Sequence, residues 1–203
     1  MTAPRSAGPP VGPSATGFFG EAATWCQGRW WQWRVPVLLL LAWDGQRHLN
    51  DPEAGGLFAG ITFGVHEFGH LLFAFFGEFM TVLGGSLNQL LIPVAAGALL
   101  YYHRDYFGLA GAGAWLASSL MDLARYIGDA RSFDLDLVSF GEGGQHDWAW
   151  LLGRLGLLPS DTRIAAVTRG AGALTLVASI AFGGWLCIKM WSIARRVAPI
   201  GTS

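Results

Sequence analysis

Apolar residues run almost unbroken through 54 to 77, 79 to 102 and 170 to 188, and polar positions between them are few and clustered. A bilayer core requires about 20 largely apolar residues of helix, so runs of this size predict membrane-spanning helices. The first has one charged residue, Glu67, and the second has none. A fourth run, from Tyr106 to Gly128, carries Asp122 and Arg125 toward its end. The run at 170 to 188 is clean and is followed by Lys189, Arg195 and Arg196. A shorter stretch, RWWQWRVPVLLLLAW at 29 to 43, has Trp30, Trp31, Trp33 and Trp43 toward its ends. It reads either as a span with aromatic belts or as a partly inserted interfacial helix. The pattern predicts an all-α polytopic membrane helix bundle of about five transmembrane helices, or four if 29 to 43 does not span.

Short connections at Glu78 and at 103 to 105 make three of these runs an antiparallel series. Residues 129 to 163 are then expected outside the hydrocarbon. Within them, HDWAWLLGRLGLL places Trp148, Leu151, Leu152 and Leu155 on one helical face, which predicts an interfacial helix. Residues 1 to 23 are rich in Pro, Gly, Ser and Ala and are expected to form a disordered tail before a single membrane domain at 24 to 203.

Composition agrees with the hydropathy pattern. Of the 203 residues, 52% are hydrophobic and 13% charged, outside the range of an ordinary soluble domain. A net charge of -1 gives no footprint for nucleic acid, which is set aside as a partner. Cys26 and Cys187 lack the spacing of a metal ribbon or a disulfide framework.

The polar residues inside the apolar run 54 to 77 carry the candidate chemistry. His66-Glu67-Phe68-Gly69-His70 is an HExxH motif. On a helix, residues i and i+4 share a face, so His66 and His70 can both direct a nitrogen at one zinc ion. Glu67 lies beside them, where a carboxylate can take a proton from water as a general base. A charged group near the bilayer centre costs about 2.5 to 3.5 kcal/mol, so all three residues need partners or a wet cavity. A polar cluster that merely joins helices is the competing explanation.

A catalytic zinc site has three protein ligands, so a third is needed. Asp122 lies at a comparable depth in its own run and is the first candidate, against an ion pair with Arg125. His146 and Asp147 are the alternatives, on a segment that the glycines before it allow to fold back as ligand or lid. Gly84 and Gly85 leave room beside the motif, and Asn88 and Gln89 are placed to hold a substrate backbone or an oxyanion. His48 and His103, beside charged residues, are expected to be solvated.

These residues resemble the site-2 protease family of intramembrane zinc metalloproteases, which carry HExxH in a membrane helix. The resemblance covers mainly 60 to 100. It implies His66 and His70 as zinc ligands, Glu67 as the catalytic carboxylate, and a membrane-embedded peptide substrate. The family's Asp-Gly pair, which supplies the third ligand, does not follow Asn88 and Pro93 here. The wider pattern HEFGH, GGSLNQLLIP, DLARYIGDAR and HDWAWLLGRLGLL is similar to a set of small, uncharacterised bacterial membrane proteins, which implies the bacterial inner membrane and no reaction. A metalloenzyme acting on a lipid, and a non-catalytic membrane protein, remain the other readings.

Overall fold

A computed structural model of the chain describes residues 17–51, 54–135 and 146–197. Its helices are α1 (Phe18–Trp25), α2 (Arg34–Asn50), α3 (Ala59–Phe73), α4 (Glu78–Tyr102), α5 (Tyr106–Gly128), α6 (Asp147–Arg154) and α7 (Asp161–Val197). One 3-10 turn, Ala74–Phe76, extends α3, a second, Leu158–Ser160, leads into α7, and no strand occurs among the described residues. Four stretches are long and apolar enough to cross a membrane: Ala59–Phe76, Glu78–Tyr102, Tyr106–Gly128 and Leu158–Arg196. The protein is an all-α polytopic membrane helix bundle.

The central helix is α5, which packs along α7 on one side and α4 on the other, while α3 packs chiefly on α4. Small residues make these approaches possible, because association in lipid depends on close backbone packing. A Cβ on Gly69 would lie 2.3 Å from the Gly84 carbonyl oxygen, so α3 and α4 touch nearly backbone to backbone at the level of the HExxH motif. The opposite face of α3, with Phe68, Leu71 and Phe75, is exposed and suits contact with acyl chains.

Three expectations are corrected. The tail does not extend to residue 23, because α1 begins at Phe18. Ala22 is fully buried, Phe18 contacts Tyr101, Tyr106 and Phe182, and Glu21 binds Arg104 and Tyr106, so this segment has enough apolar and polar partners to be ordered. Residues 1–16 lie outside the described residues.

The stretch 29 to 43 is not itself the helix: α2 starts at Arg34, continues past Trp43 through Asp44, Arg47 and His48, and is not among the four spans. It enters the bundle beside Phe107 and ends against α5, where His48 meets Asp122. The Asp44 carboxylate accepts the Leu57 backbone N–H (3.0 Å), which ties the returning chain to α2. Non-helical backbone inside a bundle requires such partners.

The helix expected at the interface is instead packed inward. Leu151 and Leu152 of α6 are buried, Leu152 joining Leu123, Ile127 and Ala130, and Trp148 donates its indole N–H to Ser86 Oγ (3.0 Å). Leu155 stays exposed. α7 begins at Asp161, whose carboxylate receives both Arg131 Nε and Nη2 at 2.7 Å.

Candidate metal centre

The HExxH motif sits in the middle of α3, with His66 and His70 one turn apart and turned toward α4. Each imidazole is fixed by a hydrogen bond on its far nitrogen. His70 Nδ1 donates to the Thr81 carbonyl oxygen (2.9 Å). Gln89 donates through Nε2 to the Ser119 carbonyl (2.9 Å), which leaves Oε1 to accept from His66 Nδ1 (2.9 Å). A histidine ligand is commonly oriented in this way, with the outer N–H engaged and the inner nitrogen left for the metal.

Both inner nitrogens face Asp147, at the start of α6. His66 Nε2 is 3.2 Å and His70 Nε2 is 3.3 Å from Asp147 Oδ2. His66, His70 and Asp147 are the one group among the described residues whose ligand atoms all lie within 4.8 Å of one another and could hold a metal ion. Tetrahedral zinc with bonds of about 2.0 to 2.2 Å sets its ligand atoms roughly 3.3 to 3.6 Å apart, so the spacing is close to that of a zinc shell. With both Nδ1 atoms already donating, each Nε2 can face the carboxylate only across a cation. That cation is a proton on each ring or one metal ion shared by the three.

Space for the ion is provided by Gly85 of α4. A Cβ there would lie 2.6 Å from both His66 Nε2 and His70 Nε2. The absent side chain is a cradle beside the two nitrogens, and the residues present therefore fit a zinc ion in number, chemistry and room.

Asp147 is held from behind. Its backbone N–H donates to Tyr126 Oη (3.0 Å), and the Tyr126 ring packs against His66 and His146. His146 caps α6 by accepting the Ala149 N–H on Nδ1 (3.2 Å), so its Nε2 carries the proton and lies 3.3 Å from Asp129 Oδ2, near it but not aligned for a hydrogen bond. Burial works against ionisation of Asp147, but the hydrogen bonds from His66 and His70 outweigh it and hold the carboxyl below the usual carboxylate range. For Asp129 too, burial opposes ionisation, and Ser132 Oγ with the backbone N–H groups of Asp134 and Leu135 outweighs it, so its pKa is lowered.

The structure thus brings together His66, His70 and Asp147 and separates Asp122 from them. Asp122 Oδ1 lies 3.0 Å from His48 Nε2, and neither the metal role nor the ion pair with Arg125 is found. Comparable depth misled: the α5 residue that reaches the site is Tyr126, one turn beyond, about 6 Å further along the axis. His48, expected to be solvated, is 2% exposed. Asn88 and Gln89 are not open to substrate. Asn88 Nδ2 donates to the Val65 carbonyl (2.7 Å), and Gln89 is committed to His66 and Ser119. His146 is neither ligand nor lid but the cap that seats Asp147, and the glycines at 141, 143 and 144 lie outside the described residues.

Glu67 is half-buried beside His66. Thr81 and Gly85 gave different signals in the sequence: the glycine pair marked open space, whereas a backbone acceptor such as Thr81 carries no side-chain signature at all.

No known protein family, functionally described protein or solved structure matches this chain. The reading of function rests on the geometry.

Proposed function

We propose that this protein is a zinc-dependent intramembrane hydrolase that cleaves peptide bonds, with His66, His70 and Asp147 as ligands and Glu67 as general base. The observation that carries the reading is the convergence of two histidine nitrogens and one carboxylate oxygen on a space kept open by Gly85, in an HExxH helix. Zinc bound there supplies Lewis-acid polarisation of a carbonyl and acidifies water. Glu67 accepts the proton of the attacking water and returns it to the leaving amine nitrogen. Gln89 and Thr81 keep the imidazoles from turning, and Tyr126 with His146 keeps Asp147 at the start of α6.

The resemblance to site-2 proteases supports this through His66, Glu67 and His70, with Asp147 in place of that family's Asp-Gly aspartate. The lipid-facing surface of α3 allows a substrate to arrive sideways from the bilayer, and the resemblance to small bacterial proteins favours the inner membrane. A lipid amide offers the same scissile chemistry, so the assay presents both classes.

The test is elemental analysis of detergent-purified protein, followed by incubation with membrane peptides and with lipid extract. About one zinc per chain is expected. It should be lost in His70→Ala and Asp147→Asn and kept in Glu67→Gln, which should form no peptide product. Wild-type protein without metal after zinc supplementation overturns the reading in favour of a structural polar cluster. Lipid products that require Glu67, without peptide products, reassign the substrate.

A further inference from the structure

A second polar site lies at the opposite end of the bundle. From Gly85 to His103 α4 rises about 27 Å, so this place is remote from the metal centre. A cleft of about 800 Å³ opens between α1, the start of α2 and the α4–α5 turn, lined among others by Trp25, Arg29, Trp33, Arg34, Arg104 and Tyr106. Its volume is that of a small-ligand site.

The charges in the cleft are unequally matched. Arg104 is paired with Glu21 (2.8 Å), whose same oxygen accepts from Tyr106 Oη (3.0 Å). Asp105 accepts the Gly108 N–H (3.0 Å) and caps α5. That leaves Arg29 and Arg34, and among the described residues no carboxylate lies within ion-pairing distance of either. Arg34 is 7% exposed, its Nε has no hydrogen-bond partner, and its guanidinium lies over the rings of Trp33 (4.2 Å) and Trp25 (5.4 Å). One of its terminal nitrogens donates to the Trp30 carbonyl. Arg29 stacks over the other side of the wall, 4.3 Å from the Trp25 ring. Asp105 lines the same cleft and offsets part of the Arg34 charge from beyond ion-pairing distance, but a buried cation without an ion-pair partner is costly, and a second cation facing the same cleft raises the cost.

The setting identifies the missing anion. The cleft is bordered by the turn joining two spans, and therefore lies at a membrane surface. Trp30 and Trp33 are exposed there, as in the aromatic belts that sit at headgroup level. Paired guanidinium groups match phosphate oxygens, and basic pockets between membrane helices take anionic headgroups.

We infer that this cleft binds the phosphodiester of an anionic phospholipid, with Arg29 and Arg34 as its phosphate contacts and the tryptophans around its glycerol. The site is independent of the metal centre and stands or falls apart from it.

The experiment is native mass spectrometry of the full chain in detergent, offered equal amounts of phosphatidylglycerol and phosphatidylcholine, with and without inorganic phosphate. Wild type should retain one phosphatidylglycerol in at least about tenfold preference. Arg34→Gln should abolish the preference. Arg29→Gln, an exposed change that does not threaten folding, should lower it several-fold. Equal retention of the two lipids, or an unchanged preference in folded Arg29→Gln and Arg34→Gln, overturns the inference. Displacement of the lipid by equimolar inorganic phosphate overturns the lipid source and assigns the site to free phosphate.

Discussion

Replacing Gln89 by methionine tests the metal centre without touching a ligand. The amide is held at both ends, donating to the Ser119 carbonyl and accepting from His66 Nδ1, each at 2.9 Å. Methionine has similar length but accepts only weakly, so His66 loses the bond that keeps its proton on Nδ1 and its Nε2 toward Asp147. Outer hydrogen bonds of this type are worth about 10- to 100-fold in metal affinity, which converts to roughly 1.4 to 2.7 kcal/mol. The loss should be partial, because His70 remains anchored by the Thr81 backbone carbonyl, which side-chain substitution does not remove. Gln89→Glu retains an acceptor for Nδ1 and should keep more of the affinity than methionine does. Zinc dissociation constants from chelator competition on the full chain, at fixed pH, give the answer. A Gln89→Met constant within twofold of wild type refutes the assignment of Nε2 as the metal-facing atom.

Three further outcomes are expected. Gly85→Ala places a methyl 2.6 Å from both Nε2 atoms, so folded protein should lose at least about tenfold in zinc affinity by equilibrium dialysis, and undiminished affinity would show that the ion sits elsewhere. Asp122→Asn should leave zinc content unchanged, because its carboxylate lies 3.0 Å from His48 Nε2 and away from the two motif histidines; loss of zinc equal to that in Asp147→Asn would restore Asp122 as a ligand. Because the folded-state pKa of Asp129 is depressed, its contribution is present above the unfolded value of about 3.9 and is lost as pH falls through the lower folded value. The stability difference between wild type and Asp129→Asn should therefore be constant at neutral pH and shrink below about pH 4, and a difference that persists at acid pH contradicts the assigned hydrogen bonds.

Much of the bundle was legible because a bilayer leaves few options. Long, largely apolar runs marked α3, α4, α5 and α7, and the HExxH spacing put two histidines on one helical face. The third partner was harder to place. Depth along a helix can be counted from sequence, but the direction in which a helix faces its neighbours depends on packing, and Asp122 was assigned by depth alone. The side chain that meets the histidines belongs to α6, whose amphipathic pattern fits a membrane surface and a protein surface equally well. Its inward seating depends on Trp148 reaching Ser86 and Leu152 reaching Leu123, contacts between segments far apart in the chain. The same reason hid α1: it is short and follows a stretch rich in Pro, Gly, Ser and Ala, and its order comes from Glu21 and Phe18 meeting residues of α4, α5 and α7.

Drawing the third ligand from outside the spanning helices has a physical consequence. Three groups on spanning helices would form a site fixed by those helices alone, whereas the position of Asp147 depends on the seating of α6. Seating α6 buries a carboxylate, and burial opposes its charge unless the two imidazoles, or an ion between them, compensate. Docking of α6 and occupancy of the centre are therefore coupled, each favouring the other by the same free energy. Leu151 and Leu152 supply apolar burial that does not depend on the ion, and the His146–Asp129 contact fixes the cap. An ion held there, as proposed, would therefore stabilise the seated α6 as well as serve the proposed chemistry.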